Sequence, residues 1–148
     1  MQVSQKCQYA VRAIFELALR RGEGPVKVGD IAEAQAIPAR FLEVILSELR
    51  KGGFVESRRG SAGGYALARS PRELTVAEVV RFIGGPLEPV TCVVGQSDTR
   101  CPLYGGCVFL EVWQDAMKAM ADVFEAATFQ SLVERHKRKG AYVESYVI

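Results

Sequence analysis

The sequence lacks the features of a membrane or secreted protein. No apolar run reaches the ~20 residues that a membrane-spanning helix needs. The N-terminal stretch MQVSQKCQYAVRAIFELALRR has no basic start, no unbroken apolar segment and no small-residue cleavage site, unlike a signal peptide. We therefore expect a cytoplasmic protein. In that compartment disulfides are rare, and clustered cysteines more often bind metal or carry out redox chemistry.

Histidine and catalytic motifs are also scarce. The single histidine, His136, lies in the charged stretch ERHKRK and is a poor candidate for a metal ligand. The chain shows no catalytic dyad and no phosphate-binding loop, which argues against an enzyme. A net charge of only +2 excludes a uniformly basic nucleic-acid binder, so any DNA contact depends on where the positive charge lies.

The first third of the chain predicts three helices. Ser4 caps a helix that runs to about residue 21. Asp30 and Glu33 form a capping box that opens a short second helix, and Pro38 suits the first turn of a third. The predicted apolar face of the third helix comprises Phe41, Leu42, Ile45, Leu46 and Leu49.

The remaining chain predicts a small β-hairpin and three more helices. Strands at 54–57 and 64–68 flank the turn RRGSAG. The elements that follow are a helix with a capping box of Thr75 and Glu78, a long helix over 108–127, and a last helix capped by Thr128 and ending in ERHKRKG. The predicted fold is mainly α with one hairpin.

Three helices followed by a hairpin is the order of a winged helix-turn-helix domain, whose third helix enters the major groove. With the apolar face docked inward, Arg40 and Glu43 lie one turn apart near the N-terminal end, where recognition helices contact bases. A glutamate there can accept a hydrogen bond from a cytosine amino group. The predicted outward residues are Arg40, Glu43, Ser47 and Arg50.

The hairpin turn concentrates positive charge on a glycine-rich tip. Arg58, Arg59 and Ser61 stand beside glycines, so the backbone can approach a duplex closely. This suits contact with phosphates or the minor groove. Alone, RRGSAGG fits a solvated basic turn equally well, and it is the preceding helical order that favours DNA binding.

Three of the four cysteines fall in TCVVGQSDTRCPLYGGC, with the spacing C-x8-C-x5-C. Zinc sites usually contain tighter pairs such as C-x2-C. A disulfide with one spare thiol fits the cytoplasm poorly. An iron–sulfur cluster can be wrapped by a flexible loop of widely spaced thiolates. Spacing alone does not separate zinc from iron–sulfur, and incidental cysteines are the remaining alternative.

Several stretches resemble the Rrf2 family of iron–sulfur and redox-responsive bacterial repressors. They are KCQYAVRAI, DIAEAQAIPARFLEVILSELRKGGFVESRRGSAGGYALAR, LTVAEVVRFIGG and the cysteine segment running into LEVW. The similarity covers about residues 1–135. It implies a winged helix-turn-helix with a long dimerisation helix, and operator reading by Glu43 and Arg59. It also implies an iron–sulfur cluster, 2Fe-2S in preference to 4Fe-4S, on Cys92, Cys101 and Cys107.

The chain departs from the family pattern at the fourth ligand. The first cysteine gap is longer than the usual five residues. Leu110 stands where some members place a histidine, and Gln8 where others use an aspartate. The candidates for the fourth ligand are Glu111, Cys7, Gln8, a small thiol or water. Cys7 also fits a small buried residue.

The long helix carries an apolar stripe that follows a complete winged domain. Such a stripe favours a dimer seam over internal core, and a two-fold homodimer presents two recognition helices to a pseudo-palindromic duplex. The predicted interface residues are Leu110, Trp113, Met117, Met120 and Phe124. The predicted division is a DNA-binding domain over 1–85, a cluster-binding loop over 86–107, and a dimerisation helix with a tail over 108–148.

These expectations combine into a transcriptional regulator whose operator affinity an iron–sulfur cluster controls, in response to iron, redox or nitric oxide status. Two alternatives stay open. In one, oxidation joins two of the three cysteines and no cluster is bound. In the other, the protein regulates by binding a partner enzyme.

Overall fold

The computed structural model describes residues 3–88, 90–94 and 101–146. Within these ranges the chain is mainly helical with one antiparallel hairpin, as predicted, and no helix is long and apolar enough to cross a membrane. The elements are α1 (Gln5–Leu19), α2 (Val28–Gln35), α3 (Ala39–Lys51), β1 (Val55–Arg58), β2 (Gly64–Leu67), α4 (Val76–Gly84), α5 (Leu110–Ala126) and α6 (Phe129–Tyr146). A short 3-10 turn, Thr91–Val94, lies between α4 and α5.

The predicted start of α1 is confirmed and that of α2 is wrong. The Ser4 Oγ accepts a hydrogen bond from the Cys7 amide at 3.2 Å, which caps α1. Helix α2 does not open at Asp30. It begins two residues earlier, at Val28, behind Lys27, which makes no side-chain cap. Asp30 lies instead in the first turn, where a carboxylate still favours the positive end of the helix dipole.

The hydrophobic core lies where α1 crosses α2 and α3. Ile14, Leu42 and Leu46 are fully buried there, together with Phe129 from the start of α6. Phe41, predicted on the inward face of α3, is 49% exposed, so that prediction is wrong. Leu42 and Ile45 are buried in the core, whereas Phe41 lies at the edge of the apolar face of α3.

Buried Glu16 links α1 to α2. Its carboxylate accepts hydrogen bonds from Arg20 at 2.6 Å and from Gln35 of α2 at 2.7 Å. A buried carboxylate without such donors would cost several kcal/mol. The bond from Gln35 holds the end of α2 against α1, and the turn to α3 begins at the next residue.

Helix α6 is longer than predicted and rejoins the winged domain. Its backbone continues past ERHKRKG to Tyr146 because no proline or capping glycine geometry stops it at Gly140. At its start, the Phe129 amide donates to the Leu74 carbonyl at 3.0 Å, and Val133 is buried in the core. The α6 N-terminus therefore stabilises the same core as α1.

The capping box of α4 is confirmed and makes stability depend on pH. Burial alone would raise the pKa of Glu78. Hydrogen bonds from the Thr75 amide at 3.0 Å and from Arg69 at 2.9 Å outweigh it and lower the pKa below 4.5. A depressed carboxyl pKa stabilises the folded state above the unfolded value, and that contribution is lost as pH falls through the folded value.

We expect Glu78→Gln to have a lower urea midpoint than the native protein at pH 7. This gap between the two midpoints should narrow as the pH falls below about 4.5. Urea unfolding followed by circular dichroism across pH 3 to 7 measures this gap. Glu73→Gln, at an exposed position in the preceding turn, is the matched control. A gap that stays constant with pH would contradict the assignment.

Candidate DNA-binding surface and cysteine segment

The outward face of α3 carries the four polar residues predicted from the sequence. Arg40, Glu43 and Arg50 are exposed, and Ser47 is half-buried. The opposite face buries Leu42, Leu46 and Leu49 completely. Burial of this face presents the polar face to solvent along the whole length of α3, the arrangement a groove-reading helix needs.

Two polar contacts fix α3 relative to its neighbours. Lys6 of α1 pairs with Glu48 at 2.8 Å. Two residues further along α3, the Arg50 guanidinium donates to Ser57 Oγ of β1 at 3.1 Å. The first contact is exposed and contributes little free energy. Together the two contacts join α3 to α1 and to the hairpin.

The hairpin is held against the α1–α2 loop by backbone pairing. Val26 and Tyr65 exchange two hydrogen bonds of 2.8 Å, which adds a third short bridge beside β1 and β2. Gly64 has a φ of +150° and lies against the Val26 carbonyl, so a side chain there would collide with backbone. The hairpin therefore has a defined position at the edge of α1 and α3.

The tip of the hairpin is basic and exposed. Arg58, Arg59 and Ser61 all face solvent, and Arg58 has only a loose approach to Glu56, at 4.0 Å. An ion pair this long and exposed contributes almost nothing to stability. Both guanidinium groups are therefore available to an anionic partner.

The sequence interpretation missed Val44. This residue is 57% exposed on α3, one turn after Arg40 and one turn before Ser47. Counting only polar residues as outward concealed it. The helical period alone could have found it, because residues four after Arg40 and three before Ser47 share their face.

The three clustered cysteines have different environments. Cys92 and Cys107 are half-buried and Cys101 is exposed; none forms a disulfide. Residues 95–100 of the predicted loop lie outside the described residues. Three free thiols from one segment are a donor set suited to an iron–sulfur cluster. Among the described residues, however, no three histidine, cysteine or acidic side chains form a group that could hold a metal ion.

The candidates for a fourth ligand also differ in accessibility. Cys7 is 2% exposed, in a position where a Cβ on Gly84 would meet its sulfur at 2.6 Å. It borders a groove of about 180 Å³ between α1, the end of α4 and Met120. Gln8 and Glu111 are exposed. The burial confirms Cys7 as a small core residue, and the other two side chains are the more accessible donors.

Helix α5 has two apolar stripes. The inner stripe is the predicted one, and Leu110, Met117, Met120 and Phe124 on it are half-buried; Met117 and Met120 border grooves formed with α4 and the chain after it. The inner stripe therefore has partial cover inside its own chain. The outer stripe comprises Val112, Ala116, Ala119 and Val123, all of them exposed.

The outer stripe follows a heptad spacing of four, three and four residues, which is typical of a helix–helix seam. Val112 is 56% exposed and Val123 65%. The acidic and basic residues of α5 lie on the remaining side, where Lys118 pairs with Asp122 at 2.7 Å. No residue of α5 is fully buried within the described chain, so the helix lacks the cover that a core helix has.

Comparison with known proteins identifies the architecture. Residues 3–135 match the family model Rrf2, described as an iron-dependent transcriptional regulator. The HTH-type transcriptional regulator IscR of Pectobacterium carotovorum is 35% identical over 133 residues, covering 90% of this chain and 79% of IscR.

Two solved structures share the fold. CymR of B. subtilis, described as a global cysteine regulator, has a TM-score of 0.76 at 29% identity, covering 91% of this chain and 98% of CymR. IscR of T. potens has a TM-score of 0.76 at 34% identity, covering 92% and 88%. These relatives are regulators of transcription and not enzymes. The chain belongs to the Rrf2 family of DNA-binding transcriptional regulators.

Proposed function

We propose that the protein is a homodimeric repressor whose operator affinity depends on an iron–sulfur cluster held by Cys92, Cys101 and Cys107. The observation that carries the proposal is the placement of three free cysteines on the one segment that joins the winged domain to α5. Family membership supports the DNA-binding part of the proposal. The identity of the cofactor depends on the thiols themselves.

Operator reading is assigned to α3 and the hairpin tip. Glu43 and Ser47 form no side-chain hydrogen bond or ion pair within the described part of the chain, so both can face base edges without losing a partner. Arg58, Arg59 and Ser61 extend from the hairpin, where a guanidinium can reach a phosphate or the minor groove. Arg40 and Arg50 flank the base-reading residues.

We expect Arg59→Ala to weaken operator binding by about 5- to 150-fold, the cost of one well-placed arginine contact. Fluorescence anisotropy with labelled duplex, repeated at several salt concentrations, measures the affinity and its salt dependence. Arg72→Ala, an exposed arginine outside α3 and the hairpin, should leave both unchanged. Equal losses in the two variants would show that only overall charge matters.

A homodimer is assigned to α5. The outer stripe is self-complementary across a two-fold axis, because its small alanines between valines allow two helices to approach closely. The inner stripe, with Trp113 at its edge, is only half-buried by its own chain. Its uncovered part extends the apolar dimer surface of the outer stripe. A two-fold dimer places two copies of α3 on a pseudo-palindromic duplex.

The cysteine segment is joined directly to the dimer helix. The Leu110 amide, the first of α5, donates to the Cys107 carbonyl at 3.2 Å, so Cys107 fixes the start of the helix. The 3-10 turn that contains Cys92 also contacts α5. A bound cluster would supply an oxidisable centre that draws thiolates together. A coupling of ~1–3 kcal/mol through these contacts changes DNA affinity by about 5- to 150-fold.

Anaerobic isolation tests the cofactor. We expect coloured protein with visible absorbance and with iron and acid-labile sulfide in stoichiometric amounts. Colourless protein that contains zinc, or free thiols alone, would refute the cluster. The measurement needs no operator sequence and can precede every DNA experiment.

A cluster-free thiol sensor is the second candidate, and two observations favour it. The three cysteines do not form a metal-binding group among the described residues, and Cys101 is exposed to oxidants. This candidate predicts colourless protein in which oxidation joins two cysteines by a disulfide, detectable as a mass loss of two hydrogens, and changes DNA affinity.

A further inference from the structure

An apolar residue occupies the centre of the outward face of α3. Val44 lies one turn from both Arg40 and Ser47 and is 57% exposed. A β-branched residue is unfavourable in an exposed helix position, where alanine or a polar straight-chain residue gives higher stability. Its presence there is therefore not explained by the folding of α3.

The polar neighbours of Val44 are drawn away from this centre. The Arg40 guanidinium stacks over the Phe41 ring at 4.8 Å from its centroid. Arg50 is hydrogen-bonded to the hairpin, and Glu48 is paired with Lys6. Glu43 and Ser47 remain as the polar neighbours of Val44, and Val44 is the apolar part of the face that enters the groove.

Major-groove edges offer one apolar group, the C5 methyl of thymine. A valine cannot donate or accept a hydrogen bond, so an amino or carbonyl edge opposite it would lose water without compensation. We propose that Val44 contacts a thymine methyl group in each half-site of the operator and selects thymine at that position. The inference rests on the proposed use of α3 as the recognition helix.

Phe41 extends the same apolar surface toward α1. It is half exposed, and with Val44, Tyr9 and the stems of Gln5 and Lys6 it lines a groove of about 310 Å³. The groove leaves room beside Val44 for a methyl group that projects from a base edge. A second protein chain seated in the groove is the competing occupant, and it predicts a different response to mutation.

The test uses a duplex selected from random sequence by the native protein. Each thymine of a half-site is replaced in turn by deoxyuridine, which removes only the methyl group. We expect one position per half-site to weaken binding by about fourfold, from the transfer free energy of one methyl group. In Val44→Ala, whose smaller side chain makes less contact with the methyl group, deoxyuridine at that position should weaken binding less than in the native protein, and selection with this variant should enrich thymine there less strongly.

The controls separate the inference from the proposed function. Deoxyuridine in the flanks of the duplex should be neutral for both proteins. If the native protein enriches no sequence at all, DNA recognition by α3 fails. If it enriches an operator but deoxyuridine acts equally on the native protein and Val44→Ala, the thymine contact is wrong. A change in oligomeric mass of Val44→Ala would also overturn it and would assign the groove to a second chain.

Discussion

A protein carrying glutamate in place of Val123 is expected to be a monomer of 16.2 kDa in analytical ultracentrifugation, whereas the proposed dimer predicts twice that mass for the native protein. Val123 is 65% exposed in the isolated chain and lies on the outer stripe of α5. Loss of its burial costs about 2 kcal/mol on each side of the two-fold axis. The unpaired carboxylates add a desolvation cost. The dimer dissociation constant should rise at least roughly a thousandfold.

Gln114→Glu is the matched control for this variant. It adds the same charge to the same helix, at an exposed position among the polar residues of α5. We expect it to remain dimeric and to bind duplex as the native protein does. The Val123→Glu monomer can hold only one half-site, so its affinity for a two-site duplex should fall sharply. If Val123→Glu stays dimeric, the seam does not use the outer stripe.

Cys92→Ala is expected to abolish the visible colour of anaerobically isolated protein and the dependence of DNA binding on the cofactor. The segment has three cysteines, and the proposed cluster uses all of them. Cys92, which is half-buried, is the one cysteine of the 3-10 turn. Removal of one thiolate leaves two on the C-terminal part of the segment. Iron, acid-labile sulfide and duplex affinity, measured on one preparation, test the expectation.

Cys7→Ala provides the control for Cys92→Ala. Cys7 is buried against Gly84, and alanine is the smaller residue, so the variant should fold with only a modest loss of stability. We expect it to keep colour and sulfide, because Cys7 is only 2% exposed and lies on α1, outside the cysteine segment. If Cys7→Ala loses the colour while Cys92→Ala retains it, the ligand assignment is wrong.

Local signals in the sequence predicted the winged domain well because they are strong there. The capping box of Thr75 and Glu78, the glycines after α3 and the RRGSAG turn each determine an element boundary through backbone chemistry. The capping box assigned to Asp30 failed because α2 already begins at Val28. Asp30 therefore falls inside the first turn, where its carboxylate interacts favourably with the helix dipole instead of capping the helix.

Tertiary structure accounts for what the sequence did not show. The exposure of Phe41 depends on how far α1 covers α3, which no local pattern encodes. The inner stripe of α5 was identified by its large side chains. The outer stripe was overlooked because two of its members are alanines, whose small side chains add little to a hydrophobic periodicity. The cysteine spacing predicted a ligand set but not the arrangement of the ligands in space.

Control of DNA binding by the cluster is best tested by a titration of operator duplex against anaerobic holo-protein and against the same preparation stripped of iron and sulfide. We expect the two forms to differ in affinity by about 5-fold or more, and the difference to disappear in Cys92→Ala. Identical affinities for the two native forms, or freshly isolated anaerobic protein without inorganic sulfide, would contradict it.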